Sequence, residues 1–306
     1  MRQSRSAGLF IIVMIYLIVI VIGIAVFLLL ANAHVLLRVL VADVAATVLV
    51  FISSLIFFRN ASIYDPYWSV APPVIFTALV IYSGGINFAG IFLLIAVWFW
   101  GVRLTANWAY TFKNLATQDW RYDNFKAKFP RAYQAISFFG IMLFPTLIVY
   151  LCMLPGMAII VDVSLFSVSS TSIATATSAS LNAITLVGLV ISVGAATLQM
   201  TADFQMHRFR GRKTDNRQII RDGLWKNSRH PNYLGEILMW WGVYIMMLSI
   251  SPQLWFLGIG ALANTLMFLT VSIPMADKRN CSLRSDWDAY RDQTNRLIPI
   301  KIRKND

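Results

Sequence analysis

Residues 9–30 read LFIIVMIYLIVIVIGIAVFLLL, a run without a single charged or amide side chain. A helix rises 1.5 Å per residue, so about 20 apolar residues carry it across the hydrocarbon of a bilayer. Arg2 and Arg5 precede the run and Ala31-Asn32-Ala33 follows it, a pattern that imitates a cleavable secretory signal. The apolar core of such a signal is shorter, about 7–15 residues, so residues 8–31 are read as a retained first transmembrane helix.

Similar runs recur near 36–58, 70–83, 86–108, 133–155, 181–206, 233–250 and 253–274. They predict an all-α, polytopic membrane helix bundle of about eight transmembrane helices. Seven is the alternative, because 70–83 is short, begins Ala71-Pro72-Pro73, and suits a re-entrant segment. The composition agrees: 58% of residues are hydrophobic and 13% charged, which excludes an ordinary soluble domain.

The formal net charge is +12, yet 22 of the 26 basic residues fall in segments 103–131, 207–229 and 278–304. Clustering of this kind orients a membrane protein with its basic loops in the cytosol, and it removes the reason to invoke nucleic acid. With eight crossings both termini are cytosolic. Residues 1–110 then form N-terminal membrane helices, 111–132 a cytosolic loop, and 133–306 a C-terminal membrane domain. The small, polar stretch 163–180 reads as an external loop. Cys152 and Cys281 stand in an apolar segment and in the basic tail, so neither a disulfide nor a metal site is expected.

Chemistry concentrates where a basic loop turns into an apolar helix, Asp222 to Glu236. Pro231 suits the first turn of a helix, which makes His230 the cap and points the helix N-terminus, with Arg229, at cytosolic water. That end suits a phosphate. Asn232 and Glu236 are four apart and share a face that continues to Trp240. Glu236 is the chain's sole glutamate, and a carboxylate inside a membrane helix has a partner or a function; pairing with an arginine is the structural alternative. In the preceding span Gln199, Asp203, His207 and Arg210 form a polar stripe, which snorkelling at a helix end would also explain. The guanidinium forks of Arg210, Arg212 and Arg229, with Lys213, suit phosphate oxygens. The tail from Asp277 to Pro299 alternates charges with Trp287 and Tyr290, a pattern that membrane-surface anchoring would equally give. Upstream, Tyr64-Asp65-Pro66-Tyr67 sets an acid beside phenols, although Asp-Pro is also good turn chemistry. Asp43, within the second span, is a further candidate acid, with Arg38 five residues back as a possible ion partner.

Gly223-Leu224-Trp225, then Ser228-Arg229-His230-Pro231-Asn232-Tyr233-Leu234-Gly235-Glu236, then a distal tyrosine and Leu297-Ile298-Pro299 resemble the C-terminal domain of the steroid 5-alpha-reductase family, in its bacterial branch. The resemblance covers residues 195–302 well. It extends more loosely to Tyr64–Val70, Arg103–Trp108 and Gln118–Tyr122. It implies a reductase in a bacterial inner membrane that uses NADPH to reduce a conjugated double bond in a steroid-like or other lipid, with no obligate protein partner and no metal. Carried over residue by residue, cofactor binding falls on Asp203, Arg210 and Asn232. Sterol reductases of the same superfamily share the Arg229–Tyr233 form, which adds Arg229, His230 and Tyr233, with Arg212, Lys213 and Glu236 alongside. Their distal histidine and tyrosine have no counterpart; Arg279, Asn280 and Arg284 stand there instead. The family's membrane Glu and Tyr pair is also missing, since the equivalent stretch reads Trp98-Phe99-Trp100-Gly101-Val102-Arg103. Asp65 and Tyr67 are therefore the expected catalytic pair.

Two other functions compete. Isoprenylcysteine carboxyl methyltransferases and phospholipid methyltransferases use a related His-Pro-x-Tyr helix to hold S-adenosylmethionine, but follow it with a Glu-Glu pair that is absent from Ser285-Asp286-Trp287-Asp288-Ala289-Tyr290. A non-catalytic lipid-binding membrane protein is the other.

Overall fold

The computed structural model describes residues 4–56, 59–161, 182–215 and 217–299, and among these the chain is helical, with one isolated bridge between Ser228 and Asn295. The expected loop at 163–180 and the last basic residues, 301–304, lie outside the described residues. The helices are α1 (Arg5–Leu29), α2 (Val35–Ile56), α3 (Tyr67–Ser83), α4 (Phe88–Thr111), α5 (Trp120–Lys128), α6 (Tyr133–Ile160), α7 (Ala183–Arg212), α8 (Pro231–Leu248), α9 (Pro252–Leu283) and α10 (Trp287–Gln293). Of these, α1, α2, α4, α6, α7 and α9 are long and apolar enough to cross a membrane. The expected spans at 70–83 and 233–250 correspond to α3, which is 17 residues long with Pro72 and Pro73 inside it, and to α8, whose first turn is polar.

The helices pack as two units. One comprises Met1–Ile86 and Gly101–Thr177; the other comprises Asn87–Trp100 and Ser178–Asp306, so α4 contributes to both.

In the first unit, Ser4 caps α1 by accepting from the Ala7 amide. Ile12, Ile15, Tyr16 and Val19 of α1 are buried at helical spacing, and α1 lies along α2. The opposite face of α1, with Phe10, Leu17, Val21 and Leu28, stays exposed, as a lipid-facing surface should. The core of this unit gathers Ile12, Val50, Ile63, Tyr64, Leu115 and Met142. Gly84, at φ 71°, ends α3 in the left-handed conformation that glycine adopts most cheaply. Gly101 of α4 lies so close to α3 that a Cβ there would stand 2.6 Å from the Ser69 carbonyl oxygen.

In the second unit α7 and α8 pack along their length. Without a hydrophobic drive between helices in lipid, close backbone approach over small residues supplies the attraction. Gly188, Ser192 and Ala195 of α7 face Gly235, Met239 and Gly242 of α8: a Cβ on Gly188 would come 2.7 Å from the Gly242 carbonyl, and one on Gly235 2.6 Å from that of Ala195. Ser192 donates to the Met239 carbonyl at 3.2 Å, and Asn182 donates to that of Ser249 at 2.9 Å. This tight crossing fixes the rotation of α8, and so decides which of its side chains face the protein.

Candidate functional site

The segment before α8 is built onto α7 by its own motif residues. Gly223 takes φ 55°, directly over the Gln205 side chain, and the next amide, Leu224, donates to Gln205 Oε1 at 2.9 Å. The Trp225 indole donates to the Ala202 carbonyl at 3.0 Å. The chain then pairs Ser228 with Asn295 and enters α8 at Pro231, with His230 in the cap position and no side-chain bond to the helix. Tyr290 holds the tail against this turn, its hydroxyl donating to the Trp225 carbonyl at 2.6 Å.

Arg229 was expected to face phosphate across water; instead its side chain is turned into the protein. Its guanidinium meets Asp277 at 3.4 Å and donates to the Arg291 carbonyl at 3.0 Å, which leaves the side chain one-tenth exposed. The reason is the tail: residues 291–295 return beside the motif, and their carbonyls need donors. Asp277 also takes His230, with Nε2 to Oδ1 at 2.7 Å, and the His230 ring stacks flat on Tyr233 at a centroid distance of 5.2 Å. Asn232 is partly buried and its Oδ1 accepts from the Tyr233 amide at 3.1 Å.

Around this turn the unit collects cations. Tyr290 has Arg229, Arg284 and Arg221 within electrostatic reach, the last with its guanidinium 5.7 Å from the ring centroid. Burial pushes the Tyr290 phenol up to about 12 against their pull. Arg284 lies in turn within reach of Arg210 and Arg279. Burial, and the repulsion of those two neighbours, draws the Arg284 guanidinium below its ordinary value. Arg210 from α7, Arg221 and Arg229 from the loop, Arg279 from α9 and Arg284 from the tail thus form one basin. Of these, Arg210 and Arg229 were expected from the sequence as phosphate ligands, and Arg279 and Arg284 as the residues standing in for the family's distal histidine and tyrosine; Arg221 joins them only through the fold. Arg212 is exposed at the end of α7, Lys213 follows it, and Asp203 is partly buried one turn before His207.

Glu236 is 5% exposed and faces the protein interior. Trp100 Nε1 donates to Oε2 at 2.9 Å, Gln199 Nε2 to Oε2 at 2.7 Å and Trp240 Nε1 to Oε1 at 3.3 Å. The first indole comes from α4, 136 residues away, and no local pattern announces it.

In the first unit the expected phenol is buried and the expected acid partly buried, and they have different partners. Tyr67 bonds Asp43, not Asp65: its hydroxyl donates to Asp43 Oδ1 at 2.6 Å. Asp65 instead accepts from Tyr122 at 2.6 Å. The helix start explains the exchange, because Tyr67 opens α3 and so lies against α2, while Asp65 is still in the loop facing α5. That loop is stitched to the 115–122 segment by Asn60 donating to the Leu115 carbonyl at 2.6 Å and by the Asp119 amide donating to Ser62 Oγ at 2.8 Å. Burial raises the Asp65 carboxyl to about 6, with the Tyr122 hydroxyl and Arg121 opposing. The expected pairing of Arg38 with Asp43 is likewise replaced. Arg38 donates to the Phe27 carbonyl at 2.9 Å and to Tyr82 Oη at 3.1 Å, with its guanidinium 3.9 Å from the Phe27 ring centroid. It satisfies the negative C-terminal end of α1, and Asp43 is left to a phenol.

Over residues 50–296 the chain matches the family model described as "Protein of unknown function (DUF1295)". No curated protein and no solved structure matches it. A match across this much of the chain, from the end of α2 to the tail beside the motif, makes the chain a member of the DUF1295 family, which is steroid 5-alpha-reductase-like.

Proposed function

We propose that this protein is a membrane-embedded, NADPH-dependent reductase of a conjugated double bond in a steroid-like or other lipid substrate, with α3 and α8 crossing beside the six long spans and both termini in the cytosol. The observation that carries the cofactor half is the arginine basin. Guanidinium groups brought into mutual repulsion cost free energy that a bound polyanion would relieve. NADPH brings a pyrophosphate and a 2′-phosphate, which several converging forks suit. S-adenosylmethionine brings a single carboxylate and a sulfonium cation, for which such a basin is a poor host. Arg210, Arg279 and Arg284 would hold the phosphates, with Asn232 at the start of α8 beside them. Arg229, His230 and Asp277 would act by fixing that turn.

When bound, the cofactor supplies the hydride. The chain must supply a proton donor at the carbonyl oxygen where negative charge develops. Tyr67, with Asp43 behind it, fits that role better than Asp65. The phenol is the group of the right kind, the carboxyl can share its proton, and aromatic surroundings exclude water. Tyr64 and Tyr16 pack against Tyr67 with ring centroids 5.5 and 6.2 Å away.

The test is ligand-dependent stability of the purified protein in detergent. At a concentration about 100-fold above its dissociation constant, NADPH should stabilise the native state by about 2.7 kcal/mol. Arg210→Ala and Arg284→Ala should each reduce that effect without lowering the stability of the unliganded protein. Stabilisation by S-adenosylmethionine and not by NADPH would replace the reading with a methyltransferase; a response to neither would leave a lipid-binding protein.

A further inference from the structure

In the second unit, α9 carries an asparagine within its long apolar run. Asn264 is 4% exposed, and its Nδ2 has no hydrogen-bond acceptor. The polar groups beside it are provided for. The Thr265 hydroxyl donates to the Ala261 carbonyl at 2.8 Å and accepts from the Trp241 indole of α8 at 3.0 Å. The Leu269 carbonyl accepts from the Arg296 guanidinium of the tail at 2.6 Å. Asn264 shares a buried face of α9 with Gly260, Ala261 and Phe268, while Ile259, Leu262 and Leu266 are exposed on the outer face. Just beyond it the helix widens to the π form over Phe268–Ser272. Phe268, one turn from Asn264, meets the Tyr233 ring at a centroid distance of 5.0 Å, and Tyr233 lies flat on His230. The asparagine thus stands one helical turn farther into the unit than the motif at the start of α8.

A buried donor without an acceptor destabilises a folded protein, and hydrocarbon offers no water to replace the missing partner. Leucine, which branches at the same atom, would fill the position without that cost. A π turn inside an α-helix often marks a functional position. The acceptor that fits this amide is a neutral oxygen. An anionic oxygen brought to an uncharged amide would be desolvated without a counter-charge, whereas a ketone, ester or hydroxyl oxygen forfeits far less. Phosphates suit the arginine basin; the amide suits the polar end of an otherwise apolar molecule. α9 also lies against α8 over far fewer residues than α7 does, which makes this the looser flank of α8 and the one a ligand can part.

We propose that Asn264 is a specificity-determining residue for the lipid substrate: its amide N–H donates to a neutral oxygen of an apolar ligand lodged between α8 and α9, beside Tyr233. This rests on the lipid-substrate part of the reductase reading and not on its cofactor part. Asn264 selects and positions the ligand. An amide does not give up its proton, so it is not the acid of the reduction. A hydrocarbon of the same shape leaves the donor unsatisfied and is rejected in favour of the oxygenated lipid.

The test uses neither NADPH nor S-adenosylmethionine, so it succeeds or fails apart from the cofactor experiment. The purified protein in detergent is titrated with cholestenone against cholestene, and with the isoprenoid ketone farnesylacetone against its deoxygenated analogue. Apparent affinities follow from the concentration dependence of the melting temperature. Wild type should bind the ketone of at least one pair about tenfold more tightly than its hydrocarbon, the effect of one buried hydrogen bond. Which pair responds separates a ring lipid from an isoprenoid chain. In Asn264→Leu the preference should vanish through weaker binding of the ketone, with the hydrocarbon bound at least as well as before. Asn264→Ala, smaller and also without the donor, decides if leucine disrupts the fold. Equal binding of ketone and hydrocarbon by wild type in both pairs would overturn the proposal. So would a ketone preference retained in the variants, or loss of the fold in both of them, which would make Asn264 a structural residue.

Discussion

Replacing Glu236 tests whether its role is to hold α4, α7 and α8 together. In Glu236→Ala the N–H groups of Trp100, Gln199 and Trp240 lose their acceptor at a site that water does not reach. Hydrogen bonds inside membrane proteins average about 0.6 kcal/mol in double-mutant cycles, which sets a floor of about 2 kcal/mol for three. Leaving three buried donors unsatisfied, at about 1–2 kcal/mol each, sets an upper figure of about 6 kcal/mol before any cavity term. Glu236→Gln should cost much less. Its carbonyl oxygen can take the place of Oε2, where Trp100 and Gln199 both donate, while its amide group then opposes only Trp240, already the longest of the three at 3.3 Å. The expected cost is about 1 kcal/mol. Unfolding in detergent, followed by the fluorescence of the buried indoles, gives the order wild type, Gln, Ala. A cycle of Glu236→Gln with Trp100→Phe should show a coupling of about 0.5–2 kcal/mol. An alanine variant within about 0.5 kcal/mol of wild type would refute the reasoning. A glutamine variant of full stability with weakened NADPH binding would return Glu236 to the cofactor.

Backbone contact between α7 and α8 predicts that Gly188→Val costs about 1–3 kcal/mol, since its Cβ would stand 2.6 Å from Met246 Cγ. Gly194→Ala on the same helix meets nothing within 4 Å and should be neutral or slightly stabilising, so equal effects at the two positions in a thermal melt would argue against the crossing. Asp65 carries a carboxyl raised to about 6, above its unfolded value, so the folded state holds that proton more tightly and gains stability as pH falls from about 6 towards the ordinary carboxylate range. Melts of wild type and Asp65→Asn across that window should converge at high stability on the acid side, and parallel curves would remove the effect. Arg38→Met should destabilise the first unit by leaving the Phe27 carbonyl without its donor, while Asp43→Asn should not be rescued by it. Mutual rescue in a double variant would restore the ion pair that the structure replaces.

The sequence carries the helices because hydropathy is local. Runs such as residues 9–30 need no partner to be read, and the motif residues Gly223, Trp225 and Pro231 announce their own turn. One helix start was legible just as locally, with Pro231 opening α8. The criterion of length and apolarity misses α3 and α8 because α3 stops at 17 residues and polar residues open α8. One carries Pro72 and Pro73 next to Tyr67, and the other begins with Asn232, Tyr233 and Glu236.

Partners of buried charges were not legible, and the reason is physical. A carboxylate in lipid signals that it needs donors, but the signal contains nothing about which donors come. Asp43 and Glu236 were both marked by that need, and an arginine was the natural guess for each. The fold gave Asp43 a phenol 24 residues away, and the donors to Glu236 include two indoles and an amide. Arg38 went instead to the Phe27 carbonyl at the end of α1, and Arg229 to Asp277 and to the carbonyls of the returning tail. Paired with a fixed guanidinium, a carboxylate is neutralised in place and its proton affinity is of little use. Solvated by neutral hydroxyl donors it can still exchange a proton with them. Asp43 is of the second kind, because the donor to its carboxyl is the Tyr67 phenol.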